Sequence, residues 1–371
     1  MDRVLAYIEE KIASYKHYHE YWNYEDGCVL LGAWQVGEAL RKGYWDFILG
    51  YLDPLVRDDG IITNYEVGAF NIDGFNCGKI LFKAYSETCQ ERYRKAASYL
   101  RENLALQPRT ASGSFWHKAI YPGQVWLDGL YMSIPFYAEY ESRFGGGRSF
   151  SDIKLQFENV RRLMFNEEKK LHHHGYDSLK TMFWADKETG LSKSFWLRSI
   201  GWHLMALIDT IEACTDEGVR SFLSELLQEA ASGLLVYEDM DTGLFWQVVD
   251  QPELPGNYTE TSGSSMAAYA FLKGARLKAL DGSYMERGMK IVNSIAELKL
   301  TGEISSGLKL SDICKVAGLG PDSNRRRDGS ASYYVSEPKA NDDAKGFGPF
   351  MMAYAEKLKQ LEHPYNEKSF S

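Results

Sequence analysis

Two aspartates stand in otherwise apolar stretches of this 371-residue sequence. Asp128 lies in "WHKAIYPGQVWLDGLYMSIPF" (116–136), among aromatic, aliphatic and glycine residues, and Asp73 lies in a similar "IDG". An ionisable group in apolar surroundings costs free energy unless it is paired or takes part in chemistry. Each aspartate alone could instead cap the start of a helix. Together at one site, they suit acid–base catalysis, in which one carboxyl group is protonated and the other ionised.

Basic and aromatic side chains accompany the two aspartates. His117 and Lys118 are either ordinary loop residues or donors to a carboxylate-bearing ligand. Arg198 and Trp202 are four residues apart, so they share one face of a helix that begins near Trp196. The arginine can bind a carboxylate through two hydrogen bonds, or it can pack between the tryptophans as a structural element.

The tract His172-His173-His174 resembles a metal site at first sight. Consecutive side chains point in different directions, and no other His/Cys cluster lies nearby, so we predict no metal and expect one histidine to line a pocket. GxGxxG followed by a strand, a P-loop, GxSxG and HExxH are all absent from the sequence. We therefore predict no cofactor and no serine or zinc hydrolysis.

Composition narrows the classes of partner. The net charge is −9 and no basic block is long enough to follow a phosphate backbone, so nucleic acid is not an expected partner. No stretch approaches the roughly 20 apolar residues of a membrane span, and the N-terminus reads as an amphipathic helix rather than a signal peptide. Five scattered cysteines without CxxC spacing favour a reduced, cytoplasmic protein. The aromatic content of 14% suits either a sugar site or a large core.

Hydrophobic periodicity predicts a chain of helices with little strand. Alternate helices differ: the odd-numbered ones are amphipathic, as in 217–236, whereas the even-numbered ones, such as 194–214, are apolar nearly all round. Short strands are expected only around "LHHHGYD", "TMFWAD" and "LFWQVVD". The predicted helices are 2–17, 27–42, 44–56, 73–88, 90–106, 124–142, 150–166, 194–214, 217–236, 260–279, 283–299 and 346–362.

Six amphipathic and six buried helices in alternation predict an all-α (α/α)6 barrel of six helical hairpins, formed by one domain over 1–371. An irregular α-solenoid is the alternative. In the barrel the inner helices are parallel, so their N-terminal ends meet at one mouth. The segments that enter them carry the unusual residues, which predicts a single pocket there. These segments are 21–27 (with Tyr24), 64–76, 116–129, 172–202, 256–265 and 336–350.

Several motifs, in order along most of the chain, resemble the unsaturated rhamnogalacturonyl hydrolases of glycoside hydrolase family 105, which are related to the unsaturated glucuronyl hydrolases of family 88. They are "WHK…YPGQVWLDGLYM", "HHHGYDSLKTMFWAD", "SFWLRSIGW", "TGLFWQVVDQP", "GNYTETSGSS" and "YYVSEP" with "AKGFGPF". The resemblance implies the same barrel. It also implies a small substrate, an oligosaccharide left by a pectin lyase, which ends in a 4,5-unsaturated galacturonic acid.

The reaction implied by this resemblance is hydration of the C4=C5 double bond, followed by rearrangement of the hemiketal and release of the next sugar, commonly rhamnose. Asp128 matches the general acid/base and Asp73 the second carboxylate. Residues that match the family's pocket are Tyr24, His117, Lys118, His174, Trp196, Arg198 and Trp202. We further expect the apolar surroundings of Asp128 to keep it protonated near neutral pH.

One motif departs from the family pattern. Where a turn like "RGNGW" is expected the chain reads "RSIGW", with Ser199 and Ile200. This leaves the leaving sugar open, so another unsaturated uronide is an alternative substrate. The remaining alternatives are an inverting glycosidase, a sugar epimerase and a non-catalytic sugar-binding scaffold. The oligomeric state does not follow from the sequence.

Overall fold

The computed structural model describes residues 2–362, which contain thirteen α-helices. Six form an inner ring: α2 (Tyr24–Leu40), α4 (Gly78–Thr88), α6 (Leu127–Tyr140), α8 (Leu197–Ala213), α10 (Thr261–Arg276) and α13 (Ala344–Glu362). Six lie outside it: α1 (Arg3–Ser14), α3 (Trp45–Leu55), α5 (Glu91–Ala105), α7 (Phe150–Met164), α9 (Glu217–Leu235) and α11 (Ser283–Ser294). The short α12 (Ala331–Val335) stands apart from both sets.

The two sets of helices differ in burial as the periodicity predicts. Every residue of α10 from Thr261 to Ala275 is buried. The α9 helix buries one stripe of residues and leaves its other side, which includes Arg220 and Glu229, at least partly exposed. Each inner helix contacts the next, and α13 returns to pack on α2, which closes the ring. The predicted (α/α)6 barrel is confirmed.

Glycines allow the close approach of α2 and α13 at the closure. A Cβ atom at Gly32 would lie 2.8 Å from the carbonyl oxygen of Gly348. A Cβ atom at Gly348 would lie 2.7 Å from the carbonyl carbon of Cys28. Both obstacles are backbone atoms, which cannot rotate away, so a larger side chain would force the two helices apart.

The strands form four antiparallel pairs, each of two strands. One pair bridges two of the segments that enter inner helices, because β1 precedes α6 directly and β4 follows the histidine tract. The pairs are β1 (Gln124–Trp126) with β4 (Gly175–Asp177), β2 (Phe165–Asn166) with β3 (Leu171–His172), β5 (Leu300–Glu303) with β6 (Gly307–Leu310), and β7 (Ile313–Cys314) with β8 (Lys339–Ala340).

Four local features differ from the predicted elements. The helix predicted over 73–88 begins at Gly78, because Ile72–Phe75 forms a separate 3-10 turn. The α2 helix begins three residues early, at Tyr24, where the Asn23 side chain accepts a hydrogen bond from the backbone N–H of Asp26. The α12 helix was not predicted. No strand forms in "TMFWAD".

The ends of the predicted 1–371 domain, residue 1 and residues 363–371, lie outside the described residues. Across residues 2–362, no helix has the length and apolar character needed to cross a membrane.

Candidate active site at the mouth of the barrel

The β1–β4 pair brings Asp128 and His174 together. Trp126 pairs with Gly175, and the backbone N–H of Leu127 donates to the carbonyl of His174 at 3.0 Å. The first turn of α6 therefore starts against the histidine tract. Asp128 is the second residue of this helix, so it is not the N-cap.

Asp128 forms one end of a chain of three side chains. Its Oδ2 lies 3.1 Å from Nε2 of His174, and Nδ1 of His174 lies 2.6 Å from the hydroxyl of Tyr334. Burial raises the pKa of Tyr334 well above its usual value, so the hydroxyl keeps its proton. A hydroxyl that donates to Nδ1 leaves the ring proton on Nε2, facing Asp128.

The protonation state expected for Asp128 is wrong. Burial is the largest single influence and raises its pKa, but His174, His117 and a backbone hydrogen bond together lower it further, and the net pKa lies below the usual value for aspartate. Asp128 is therefore ionised at neutral pH. Asp128 does have apolar neighbours in the sequence, but groups from other segments of the chain outweigh their effect on its pKa.

Asp73 belongs to a second charged group at the same mouth. It lies in the 3-10 turn that leads into α4, and its Oδ2 lies 2.6 Å from Nζ of Lys118. Its Oδ1 lies 3.7 Å from Nε2 of His117. Asn71, not Asp73, caps this turn, because its side chain accepts a hydrogen bond from the backbone N–H of Asp73. The carboxylate is thus held by the Lys118 ammonium, with the His117 ring beyond hydrogen-bond distance, rather than by a helix end.

His117 links the two aspartates. Burial lowers its pKa to about 4, although the charges of Asp73 and Asp128 both act to raise it. The ring is therefore neutral at neutral pH. Trp126 stacks on it with ring centroids 4.3 Å apart and meets His174 edge-on at 5.5 Å. These contacts place both aspartates around one aromatic wall, at the N-terminal end of the inner helices.

The site is recessed but open to solvent. The Asp73 and Asp128 side chains are 12% and 15% exposed, and that of Lys118 is 26% exposed. A ligand can reach these groups, whereas His174 is fully buried behind them. A groove of about 660 Å³ lies beside Asp73 and is bordered by Asn71 and Gly74.

The predicted aromatic residues lie deeper. Tyr24 contacts Trp202 with ring centroids 6.4 Å apart, and Trp202 stacks on Tyr131 at 4.9 Å. Trp196 stacks on Tyr334 at 5.6 Å. Tyr24 is the first residue of α2, so it lies at the same mouth, and burial, Glu25 and Asp73 all raise its pKa.

Arg198 is tied to the barrel by its own hydrogen bonds. Its Nε donates to Ser262 Oγ at 2.8 Å, an Nη2 hydrogen bond reaches the carbonyl of Cys314, and Glu260 Oε1 lies 3.7 Å away. The side chain is 1% exposed. Of the two interpretations of this arginine, the contacts favour the structural one, although its main partners are polar groups of the neighbouring segments rather than two tryptophans.

Three further residues at the mouth were not singled out from the sequence. Trp126 and Tyr334 contact the histidines described above, and Glu25 lies in the first turn of α2. Burial raises the pKa of Glu25 to about 7, against the lowering effect of Lys345. Its signal in the sequence was the same as that of Asp128, an acidic residue in the first turn of an apolar helix.

The three consecutive histidines do not converge. His172 packs against the ring of His203 at 4.4 Å, Nδ1 of His173 lies 2.7 Å from the carbonyl of Ser192, and His174 faces Asp128. Within the described part of the chain, no group of three or more His, Cys, Asp or Glu side chains is placed to hold a metal ion.

Comparisons with known proteins agree with this architecture. The Glycosyl Hydrolase Family 88 profile matches residues 1–361. A glycoside hydrolase of family 105 from C. acetobutylicum ATCC 824 is 40% identical, with a TM-score of 0.91 over 95% of this chain and 98% of that one. An unsaturated glucuronyl hydrolase from Bacillus sp. GL1 shares the fold, with a TM-score of 0.65 over 98% and 95% of the chains at 14% identity.

Among curated proteins, protein Atu3128 from Agrobacterium fabrum (strain C58) is 37% identical over 231 residues, which is 61% of this chain and 98% of the relative. The family match covers nearly the whole chain, and the barrel follows the same plan. The chain belongs to Glycosyl Hydrolase Family 88, close to family 105, and it is a glycoside hydrolase.

Proposed function

We propose that this hydrolase removes a terminal 4,5-unsaturated galacturonic acid from short rhamnogalacturonan oligosaccharides by hydrating the C4=C5 double bond. The observation that carries the proposal is the 3.1 Å contact between Asp128 and His174, beside the Asp73–Lys118 pair. This mouth offers a recessed carboxylate for proton transfer and an accessible cation for the carboxylate of the substrate.

Lys118 is the group that meets the carboxylate of the unsaturated sugar. Its ammonium is partly exposed and already pairs with Asp73, so it can bind the carboxylate of Asp73 and that of the substrate at the same time. The charges of Asp73 raise the pKa of Lys118, against the lowering effect of its burial, so Lys118 stays a cation. Asp73 in turn orients sugar hydroxyls as a hydrogen-bond acceptor.

The chemistry needs one proton and one water molecule. Asp128 transfers a proton to C4, which leaves the positive charge at C5, where the ring oxygen stabilises it. Water adds to C5 and returns a proton to Asp128, so the carboxyl group is restored. The product is a hemiketal, which opens and releases the next sugar. Positioned proton transfer of this kind contributes about 10²–10⁴-fold to a rate.

Asp128 is ionised in the free protein, so it must gain its proton when the substrate binds. The substrate brings a second carboxylate to the mouth and displaces water, and both changes raise the pKa of a neighbouring carboxyl group. The Asp128 side chain is 15% exposed, so this proton can come from solvent at the open mouth, while the His174 ring stays beside it with Nε2 3.1 Å from Oδ2.

The deeper residues position this pair. Trp126, Trp196 and Trp202 are almost fully buried and stack on His117, Tyr334 and Tyr131, so they hold these side chains in place behind the mouth. Arg198 acts as a positioning residue, because its hydrogen bonds go to Ser262 at the start of α10 and to Cys314 of β7, and its side chain is 1% exposed.

The groove beside Asp73 supports a neutral leaving sugar. Its walls include the aromatic residues Tyr21, Trp22 and Tyr65 and the acidic residues Glu20 and Glu66. A second uronic acid would meet carboxylates there, whereas a rhamnose would meet aromatic rings and acceptors for its hydroxyls.

The test follows the ultraviolet absorbance of the unsaturated uronide during incubation with unsaturated galacturonyl-rhamnose. Wild-type protein should abolish the absorbance and release rhamnose, and Asp128→Asn should lower kcat by about 10²–10⁴-fold. Asp46→Asn is the matched control, because Asp46 also lies in the first turn of a helix but is exposed on α3.

Turnover by Asp128→Asn at the wild-type rate would refute the proposal. Because Ser199 and Ile200 alter the "RSIGW" turn, unsaturated glucuronyl disaccharides belong in the same assay. Preference for them would keep the hydration chemistry and change the substrate. Cleavage of saturated oligosaccharides would instead indicate an inverting glycosidase.

A further inference from the structure

A second cavity lies at the end of the barrel opposite Asp128. Its volume is about 350 Å³, and residues of five inner helices line it, including Pro135 and Glu139 of α6. Asp128 is in the first turn of the same helix. Seven to eleven residues of helix, roughly 10–16 Å at 1.5 Å per residue, separate the two sites.

Most charges in this cavity are paired. Lys83 Nζ and Arg143 Nε lie 2.7 and 2.9 Å from Glu139 Oε1. Lys273 Nζ lies 2.6 Å from Asp209 Oδ1. These charged groups neutralise one another within the cavity wall, so they need no partner from a ligand.

Lys79 is the exception. It is 4% exposed, and its Nζ has no hydrogen-bond acceptor among the described residues, although it sits 3.4 Å above the ring of Tyr131. Oε1 of Gln35 is also buried without a donor among them, while Nε2 of Gln35 donates to the Tyr269 hydroxyl at 3.2 Å. A buried ammonium is costly without acceptors, and an aromatic ring supplies attraction but no hydrogen bond.

We propose that this cavity binds a small monoanionic hydroxy acid of about the size of one sugar acid. Its carboxylate would accept from Lys79, a hydroxyl would donate to Gln35 Oε1, and the indole of Trp34 in the cavity wall would take an apolar face. Water alone would satisfy the hydrogen bonds but not the charge. The lining carries four cations and three anions, a net charge of +1: Lys79, Lys83, Arg143 and Lys273 against Glu139, Asp209 and Glu212.

Lys79 gives this binding a pH dependence. Burial lowers its pKa to about 8, Asp209 opposes that shift and Lys273 adds to it. An anion binds the protonated ammonium, so the affinity should fall as the pH rises through about 8. The groups that face Lys79 are Cys28 of α2, Tyr131 and Glu139 of α6, Asp209 of α8 and Lys273 of α10.

Titration calorimetry with galacturonate tests the site, with galactose as the uncharged probe. Lys79→Met and Gln35→Glu should each weaken galacturonate binding by at least about tenfold, because the first removes the cation and the second adds a negative charge to the cavity wall and removes the amide. Lys83→Met is the matched control, since Lys83 already pairs with Glu139, and it should change affinity by less than about threefold. Any binding at the mouth remains in all variants and cancels from the comparison.

Three results would overturn the proposal. Lys79→Met could bind galacturonate as tightly as the wild type, galactose could bind as tightly as galacturonate, or Lys83→Met could lose as much affinity as Lys79→Met. Thermal unfolding by circular dichroism shows whether each variant is folded. Gln35→Glu keeps the side-chain volume, so it decides the question if Lys79→Met does not fold.

Discussion

Replacing His174 with asparagine tests the electrostatics of the mouth directly. His174 is the main group that lowers the pKa of Asp128 against the effect of burial. With the ring removed, burial should dominate, and the pKa of Asp128 should rise above its ordinary value. The variant thus creates the protonated Asp128 that its apolar neighbours alone would favour.

The size of the shift follows from the geometry. A ring N–H 3.1 Å from a carboxylate stabilises the ionised form by about 1.5–3 kcal/mol, as hydrogen bonds to charged groups do. The Asp128 side chain is 15% exposed, so solvent screens part of this interaction. We therefore expect the pKa of Asp128 to rise in His174→Asn, by less than the loss of the full interaction would give.

Infrared difference spectra measure this pKa. The C=O band of a protonated carboxyl group is read against pH, and subtraction of the spectrum of Asp128→Asn assigns it to Asp128. Tyr334→Phe is the matched control, because it removes the hydroxyl from His174 but keeps the imidazole ring beside Asp128. Its shift should be smaller. An unchanged Asp128 pKa in His174→Asn would refute the reasoning.

Three further substitutions test other parts of the structure. Lys118→Met leaves Asp73 without its 2.6 Å partner and removes the cation for the substrate; KM should rise about tenfold with a smaller change in kcat, as measured by steady-state kinetics. His203→Leu removes a fully buried ring whose two nitrogens have no partner among the described residues, so urea unfolding should show a gain of about 1–3 kcal/mol. Burial lowers the pKa of His203 to about 3, so the folded wild type loses stability as pH falls from about 6.5 to about 3, and the gain should grow over that range. Gly348→Ala places a methyl group 2.7 Å from the backbone carbonyl carbon of Cys28. The steric cost of about 1–3 kcal/mol should exceed the gain in helix propensity of about 1 kcal/mol, so Tm should fall.

The architecture could be predicted because its signal is local and repeated. An apolar stripe on α9 and full burial along α10 each extend over several turns, and their alternation along the chain is what a double ring of helices requires. The α12 helix has five residues, too few for a period of 3.6 to show, so it could not be found in this way. The 3-10 turn before α4 looked like helix because its apolar residues continue the pattern.

The contacts of the site were harder to predict, because they join distant segments. Asp128 and His174 meet only through the pairing of β1 with β4, two three-residue strands whose register no local pattern reveals. Tyr334 comes from the unpredicted α12. The role of Arg198 was hard to predict for the same reason. Its partners Ser262 and Cys314 are far along the chain, so the sequence could not decide between a contact with the substrate and a structural role.

That Asp128 is ionised rather than protonated in the free protein has a consequence for the proposed reaction. In the free protein each of the two aspartates at the mouth has a partner, His174 for Asp128 and Lys118 for Asp73, whereas burial raises the pKa of Glu25 to about 7. A uronide adds one more negative charge to this set, so Glu25 takes up a proton first, and of the two aspartates the one with the weaker partner follows. Asp73 contacts a lysine at 2.6 Å and Asp128 a histidine at 3.1 Å, so Asp128 is the group that should yield. The acid needed for catalysis would then be produced by the substrate itself, and a neutral oligosaccharide of the same size should leave Asp128 ionised.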